Sequence, residues 1–299
     1  MIRNNARLTL KARLSQPEIV VAPGVFDMIS VRLADSMKFD CLYMTGYGTV
    51  ASYLGVPDAG LATYTDMLNR ATAIAQAVDR PVIADGDTGY GGLLNVYHTV
   101  RGYEKAGVAM IQIEDQQIPK KCGHTPNRHI VSTEEMVNKI KIACDARSSR
   151  DFLILARTDA RTAVSLDEAI RRAEAYSMAG ADAIFIEAPE SIEEMKRIGS
   201  SVDAPLVSNQ VHGGGKTPIL PQKQLEEIGF SAAIYPTAGL FATAKALQSV
   251  YEAHVDGREV ETPLYTFRHF VEMIGFQKIW DFEEKYADLL AVEIAPAAH

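Results

Sequence analysis

The chain alternates eight short apolar runs with amphipathic stretches, and this alternation limits its possible folds more than any other feature. The runs consist mostly of branched or apolar residues and show no alternation with polar ones, as is typical of parallel strands buried on both faces. The predicted strands are Ile19–Ala22, Cys41–Thr45, Val82–Asp85, Met110–Glu114, Phe152–Arg157, Ala183–Glu187, Leu206–Asn209 and Ala232–Tyr235.

The stretches between these runs have the pattern of amphipathic helices. Ser165–Gly180 carries apolar residues at helical spacing and stops at its glycine, and Thr133–Ala146 follows a serine that can cap it. Eight strand–helix units predict an α/β fold, a closed (β/α)8 TIM-type barrel forming a single domain over residues 1–299. An open doubly wound sheet is the alternative, but no G-x-G-x-x-G follows any predicted strand.

Composition limits the classes of partner and the compartment. The 38 acidic residues outnumber the 30 basic ones, giving a formal charge of -8, which disfavours nucleic acid and anionic membrane surfaces as partners. The three cysteines form no C-x-x-C, so neither a disulfide framework nor a structural zinc site is indicated. Without an apolar signal core or a membrane-length run, we expect a cytoplasmic protein, with an organelle matrix left open.

Polar side chains stand at the carboxyl end of nearly every predicted strand. In a barrel of this kind the active site lies at those ends, so the strand ends themselves predict the site. Helix capping is the alternative explanation for any one of these residues. The strand-end residues are Tyr43, Thr45, Gly46, Asp85, Asp87, Glu114, Arg157, Glu187, Asn209 and Tyr235.

A cluster of acids on the third and fourth strands predicts a metal site. Asp85, Asp87 and Glu114 end neighbouring strands, and Asp58 follows the second strand in a loop that could reach the same point. Carboxylates without histidine or cysteine favour a hard cation, Mg²⁺ with Mn²⁺ as a substitute. A solvated acid patch or a proton-sharing pair is the alternative. Arg157 opposite would bind a substrate carboxylate, which indicates an anionic 2-hydroxy or 2-oxo acid.

The loop after the fourth strand contains Lys120-Lys-Cys122-Gly-His124. A cysteine beside two lysines and a histidine predicts a lowered thiol pKa, with the thiolate stabilised by these three cations. A small apolar cysteine in a basic turn is the alternative interpretation.

The tail beyond the eighth unit is rich in aromatic residues. The pattern of residues 263–290 is helical, and so much aromatic surface must be buried somewhere. We therefore predict a C-terminal helical extension that packs on a neighbouring subunit.

Five strings of the chain resemble the isocitrate lyase/phosphoenolpyruvate mutase superfamily. The resemblance runs from about Phe26 to the C-terminal helices, and K-K-C-G-H is the motif of its carbon–carbon lyase branch. The chain looks like the short members: 2,3-dimethylmalate lyase, 2-methylisocitrate lyase and oxaloacetate hydrolase. The strings are A-D-G-D-T-G-Y-G from Ala84, I-E-D-Q from Ile113, K-K-C-G-H from Lys120, A-R-T-D-A from Ala156 and I-E-A-P from Ile186.

The resemblance implies a barrel whose last helix is swapped between subunits, a homotetramer built as a dimer of swapped dimers, and one Mg²⁺ per site. Asp85 would bind the metal directly, and three further carboxylates would act largely through water: Asp87, Glu114 and Asp58. The implied reaction is cleavage of a 2-hydroxydicarboxylate or tricarboxylate through a metal-bound enolate. The products are a 2-oxo acid such as pyruvate and a second carboxylic acid.

The resemblance also implies roles for the other site residues. Cys122 would protonate the enolate, and Tyr43 would lie near the reacting hydroxyl. The 2-oxo-acid half would bind at Thr45, Gly46, Tyr47 and Arg157, and the other carboxylate at Gly123, His124, Glu187 and Asn209.

One position departs from the pattern of these relatives. His212 stands where they carry an acid, in the stretch N-Q-V-H-G-G-G-K-T-P, so it is either a substrate contact at the distal end or an exposed loop residue.

Three alternatives to the lyase reaction stay open. The first, within the superfamily, is hydrolysis or decarboxylation of oxaloacetate. A Schiff-base aldolase is disfavoured because Lys120 and Lys121 lie in a loop and not at a strand end. A non-catalytic carboxylate-binding barrel is the third.

Overall fold

The computed structural model describes residues 2–289, and within them eight parallel strands form one sheet. Residue 1 and residues 290–299 lie outside the described part. The ends of the predicted domain and Leu290, the last residue of the predicted extension, therefore lie outside it too.

The strands follow the predicted runs closely. β3, β4 and β8 have the predicted bounds, and the other five differ at one or both ends. The strands are β1 (Val20–Val25), β2 (Leu42–Met44), β3 (Val82–Asp85), β4 (Met110–Glu114), β5 (Leu153–Thr158), β6 (Ala183–Ile186), β7 (Val207–Asn209) and β8 (Ala232–Tyr235).

The sheet closes on itself. Its order is β6-β5-β4-β3-β2-β1-β8-β7, so β1 pairs with both β2 and β8. A parallel bridge between Ile184 and Leu206 joins the two ends of this order, and the Ile184 amide donates to the Pro205 carbonyl at 2.9 Å. The predicted (β/α)8 barrel is confirmed, and the open-sheet alternative is wrong.

β1 runs three residues further than predicted, through Pro23 and Gly24. Proline and glycine normally interrupt strands, which is why the sequence indicated an end at Ala22. Here Pro23 sits in register with Tyr235 of β8, and Gly24 with Tyr43 of β2. A side chain at Gly24 would meet the Pro236 backbone at 2.6 Å, so only glycine permits this close approach.

Helices connect successive strands and follow the last one, and most begin at a capping side chain. Ser132 accepts a hydrogen bond from the Glu135 amide, and Ser165 accepts one from the Glu168 amide. The residues before β1 also form a helix. The helices are α1 (Ile2–Leu14), α2 (Met28–Asp35), α3 (Gly46–Leu54), α4 (Tyr64–Ala77), α5 (Leu93–Ala106), α6 (Thr133–Ala146), α7 (Ala160–Ala163), α8 (Leu166–Met178), α9 (Ile192–Ser201), α10 (Gln222–Ile228), α11 (Ala238–Val255), α12 (Phe267–Ile274) and α13 (Gln277–Lys285).

Successive strand residues are buried on opposite faces. In β5, Leu153 and Leu155 belong to the cluster inside the barrel, whereas Ile154 and Ala156 belong to the cluster under the helices. Because both faces are covered, the strands are mostly apolar and their polar residues gather toward the carboxyl ends, with Gln112 in the middle of β4 as an exception.

The chain divides into two compact units, Met1–Lys245 and Ala246–His299. In the second unit, α12 and α13 contain no buried residue, and several of their large apolar side chains are exposed. Among residues 2–289, no helix is both long and apolar enough to cross a membrane.

Candidate active site

A pocket of about 210 Å³ lies at the carboxyl ends of the strands. Loop residues beyond β4 and β7 complete its wall, so residues distant in sequence meet there. Eleven of the fifteen predicted site residues line it: Tyr43, Thr45, Tyr47, Asp58, Asp85, Cys122, Gly123, His124, Arg157, Glu187 and Asn209.

The other four predicted residues do not line the pocket. Gly46 lies directly behind Asp85, because a side chain there would collide with the Asp85 carboxylate. Asp87 and Glu114 are buried beneath the pocket. His212 is exposed, with its ring centroid 5.8 Å from that of Tyr235, so the exposed-loop interpretation describes its position.

A tight turn after β3 presents two carboxylates. Asp87 has a positive φ of 49°, which is uncommon outside glycine and typical of functional turns. The turn is held because the Asp87 amide donates to Asp85 Oδ1 at 3.0 Å, and the Glu114 amide donates to the Asp87 carbonyl at 2.8 Å. Gln112 Nε2 also donates to Asp85 Oδ1, at 3.3 Å.

Lys120 lies inside the acid cluster, where it pairs with two of the predicted metal-site carboxylates. Its Nζ is 2.5 Å from Asp58 Oδ1 and 2.7 Å from Asp87 Oδ1. The ammonium is therefore committed to carboxylates and not to the thiol two residues later. Lys121 also points elsewhere, since its Nζ donates to the Asn127 carbonyl at 3.3 Å.

The residues at the pocket floor fit a hard divalent cation with few protein ligands. Asp85 and Asp58 line the pocket, and Glu114 Oε1 is buried without a hydrogen-bond partner among the described residues. Within residues 2–289, no three histidine, cysteine or acidic side chains are arranged to hold a metal by themselves. Mg²⁺ usually keeps several waters and takes one or two carboxylates, so this donor set suits it.

Arg157 is held by three carboxylates. Its Nη1 lies 3.0 Å from Glu114 Oε2, and its Nε and Nη2 donate to Asp159 at 3.0 and 3.1 Å. Nη2 is also 3.4 Å from Glu187 Oε2. The guanidinium carbon stands 5.4 Å from the centroid of the Phe185 ring. This buried cation is fixed in the pocket wall and offers a positive charge to an anionic ligand.

The carboxylate of Glu187 connects His124 and Asn209 in the pocket wall. His124 Nε2 is 3.2 Å from Glu187 Oε1, and Asn209 Nδ2 donates to both of its oxygens at 3.3 Å. Burial would raise the Glu187 pKa, but Arg157 and His124 outweigh it and lower the pKa to about 2. Gly123 packs so closely that a side chain there would collide with Arg157 and Glu187.

The thiol of Cys122 is less acidic than predicted. Burial raises its pKa to about 11, although a backbone hydrogen bond from His124 opposes the shift. The expected lowering fails because the two lysines point away from the sulfur. The Cys122 amide donates to the Asp58 carbonyl at 3.1 Å, which ties the loop to the acid cluster. The thiol is thus a neutral acid at the pocket wall.

Several residues of the site were missed from sequence. Asp159 holds Arg157, and Gln112 accepts from Tyr43 Oη at 3.1 Å. Burial raises the pKa of Tyr43, which keeps the phenol neutral. Asp159 follows β5 directly, so the strand-end rule could have found it. Phe185 and Phe241 line the pocket but carry no such signal, since apolar residues are common in strands and helices.

Comparisons with known proteins identify the family. Residues 10–255 match the family model described as phosphoenolpyruvate phosphomutase. The chain belongs to the phosphoenolpyruvate mutase/isocitrate lyase superfamily. The resemblance drawn from the sequence strings is therefore confirmed.

Members of the superfamily match over nearly their whole length. The chain is similar to the 2,3-dimethylmalate lyase of Eubacterium barkeri, at 49% identity over 286 residues, 95% of this chain and 99% of that protein. An oxaloacetate acetylhydrolase solved with the inhibitor 3,3-difluorooxalacetate superimposes with a TM-score of 0.90 at 33% identity, covering 95% of this chain and 98% of that one. A phosphonopyruvate hydrolase solved with oxalate and Mg²⁺ superimposes with a TM-score of 0.85 at 30% identity, covering 96% of this chain and 100% of that one.

Proposed function

We propose that this protein is a Mg²⁺-dependent carbon–carbon lyase. It would cleave a 2-hydroxydicarboxylate of the 2,3-dimethylmalate or 2-methylisocitrate type into a 2-oxo acid such as pyruvate and a second carboxylic acid. The observation that carries this proposal is one pocket holding a neutral thiol, a carboxylate floor and a fixed guanidinium: Cys122, Asp85 and Arg157. The identity of 49% to a protein named 2,3-dimethylmalate lyase supports it.

The metal would be held by Asp85, with water linking it to three further acids, Asp87, Glu114 and Asp58. When bound, Mg²⁺ would supply a Lewis acid that polarises the hydroxyl and carboxylate oxygens of the substrate. Supporting this assignment is the phosphonopyruvate hydrolase of similar fold, whose structure holds Mg²⁺ with oxalate, a small dicarboxylate.

The chain's own residues would orient the substrate. Arg157 would bind the 2-oxo-acid half together with the backbone at the start of α3, where free amides attract anions. The neutral phenol of Tyr43 would lie beside the 2-hydroxyl. The second carboxylate would lie next to Gly123 and His124, and Asn209 keeps Glu187 turned toward Arg157 and His124.

Cleavage would break the bond between C2 and C3 as the 2-hydroxyl gives its proton to a carboxylate of the pocket lining, for which Asp58 is available. The electron pair would pass to the departing acid as its enolate, and Cys122 Sγ would give this carbon a proton. A thiol that is protonated at neutral pH suits this task. The loop around Cys122 would exclude water while the enolate exists.

Lys120 argues against a Schiff-base aldolase. Burial lowers its pKa, but Asp87 and Asp58 outweigh that and hold the pKa well above its usual value. The amine is therefore protonated and cannot attack a carbonyl. Borohydride should trap no substrate on the enzyme.

The reaction is tested by supplying a panel of 2-hydroxy acids with Mg²⁺ and measuring release of 2-oxo acid. We expect release from 2,3-dimethylmalate or 2-methylisocitrate, no release with EDTA, and recovery on addition of Mn²⁺. A panel with no turnover under these conditions would contradict the lyase proposal and favour a carboxylate-binding barrel.

Hydrolysis or decarboxylation of oxaloacetate is the second candidate. It is supported by the TM-score of 0.90 with an oxaloacetate acetylhydrolase. Including oxaloacetate in the same panel decides between them: oxalate plus acetate indicates hydrolysis, and pyruvate plus carbon dioxide indicates decarboxylation.

We also propose that the extension over residues 263–290 packs on a neighbouring subunit, as part of a homotetramer of swapped dimers. Its large apolar side chains support this: Phe267 is 87% exposed, Phe282 55% and Trp280 44%. Large exposed apolar patches are rare on soluble monomers, so this concentration of exposed aromatic residues favours an interface.

A chain ending at Thr262 should therefore lose its oligomeric state. We expect monomer or aggregate by light scattering, because the surface that would hold the subunits together is removed. The matched control is the full chain with Arg268→Gln, which changes an exposed charge on α12 and leaves the apolar residues in place. A folded tetramer of the truncated chain would refute the proposal.

A further inference from the structure

Lys120 occupies an unusual place for a loop lysine. Its side chain is 5% exposed, and the two carboxylates it contacts, Asp58 and Asp87, are equally buried. Buried charges are stable only when paired, so this ammonium and these carboxylates hold each other in the interior. The contact joins three segments: the loop after α3, the turn after β3 and the loop that carries Cys122.

The same carboxylates surround the floor where a divalent cation would bind. Asp87 is connected to Asp85 by the hydrogen bond of its amide to Asp85 Oδ1, at 3.0 Å. Asp58 lines the pocket beside Asp85. An ammonium and a divalent cation therefore share one small set of acids, and like charges this close repel strongly in a buried setting.

We propose that Lys120 is the internal countercation of the acid cluster, a positioning residue that weakens metal binding while it fixes Asp58 and Asp87. The metal then meets carboxylates that are already oriented and partly neutralised. It binds less tightly than an unpaired cluster would bind it, and it can exchange between turnovers. This inference rests on the proposed metal requirement, and it deepens that requirement by naming what sets the affinity.

The direction of the effect separates this role from simple support of the fold. If Lys120 only supported the loop, its loss would disorder the carboxylates and weaken metal binding. As a countercation, its loss removes one positive charge beside the cation and tightens binding. We expect Lys120→Met to bind Mn²⁺ at least about tenfold more tightly by calorimetry, while turnover falls because Asp58 and Asp87 are no longer held.

A second comparison covers the case in which Lys120→Met does not fold. Here Asp58→Asn is compared with the double variant that also carries Lys120→Met, so the two proteins differ only in the lysine. The neutral amide at position 58 leaves one buried carboxylate fewer without a partner when the lysine is removed. The double variant should again bind Mn²⁺ about tenfold more tightly than Asp58→Asn. Lys121→Met is the matched control, because its ammonium donates to the Asn127 carbonyl, and its Mn²⁺ affinity should equal that of the natural chain.

Two outcomes overturn the inference or its foundation, and they differ. If Lys120→Met binds Mn²⁺ no more tightly than the natural chain, and the double variant no more tightly than Asp58→Asn, the countercation role is wrong and the metal requirement stands. Absence of Mn²⁺ binding in every variant and in the natural chain refutes the metal requirement itself.

Discussion

Replacing Asp85 with asparagine is expected to abolish lyase activity and to remove metal binding. Asparagine keeps the side-chain shape and an oxygen that can accept from the Asp87 amide, now 3.0 Å from Oδ1. What it removes is the charge at the pocket floor. Lewis-acid stabilisation is worth several kcal/mol, and each 1.4 kcal/mol is a factor of ten, so kcat/KM should fall about 10³-fold or more.

Calorimetry with Mn²⁺ measures the binding part of this prediction. Loss of an outer-shell partner typically costs about 10- to 100-fold in affinity, so loss of a direct ligand should cost at least about 100-fold. Glu227→Gln is the matched control, since it removes one carboxylate from an exposed position on α10. Unchanged Mn²⁺ affinity in the Asp85 variant would show that the metal binds elsewhere or that none is needed.

The sequence predicted the barrel and its polar strand ends because both follow from local rules. β3, β4 and β8 have the predicted bounds, since each is a mostly apolar run that stops at a polar residue or a turn. Parallel strands of one barrel place all their carboxyl ends together, so Tyr43, Asp85 and Arg157 could be assigned to one pocket without knowledge of the packing.

The loop after β4 could not be predicted in the same way. Its path depends on long-range contacts, such as the antiparallel bridge between Gln116 and Ile130 and the hydrogen bond from Cys122 to the Asp58 carbonyl. Only this path decides that Lys120 enters the acid cluster. Lys120 is two residues from Cys122 in sequence, so the sequence predicted that its ammonium lies near the thiol. In the structure the ammonium contacts Asp58 and Asp87, and the predicted lowering of the thiol pKa was therefore wrong.

The raised thiol pKa changes what chemical modification should show. With burial raising the pKa of Cys122 to about 11, little thiolate exists at neutral pH. Iodoacetamide reacts with the thiolate, so inactivation should be slow at pH 7 and should accelerate as pH rises through 8 to 10. Substrate with Mg²⁺ should protect the thiol by closing the loop over it. A rate that is already maximal at pH 7 would contradict the raised pKa.

Cys122→Ser should reduce kcat by roughly 10² or more, with much less change in KM. Serine keeps the shape of the side chain but replaces the thiol with an alcohol, a far weaker acid that cannot readily protonate the enolate. General acid–base catalysis is typically worth about 10² to 10⁴ in rate, and the lost proton transfer belongs to the transition state rather than to substrate binding. The measurement is steady-state release of 2-oxo acid on the best substrate of the panel.

Cys144→Ser is the matched control for this experiment. Cys144 lies on α6, and its Sγ donates to the Gly180 carbonyl at 3.1 Å, a bond that a hydroxyl can also make. Its kcat should stay within a few-fold of that of the natural chain. Cys41 is a poorer control, because it is fully buried beside β2 and a serine there would place a hydroxyl in the core. If Cys122→Ser turns over as fast as Cys144→Ser, the thiol is not the proton donor. The proposed cleavage would then need another acid, or would give way to the oxaloacetate-directed reaction.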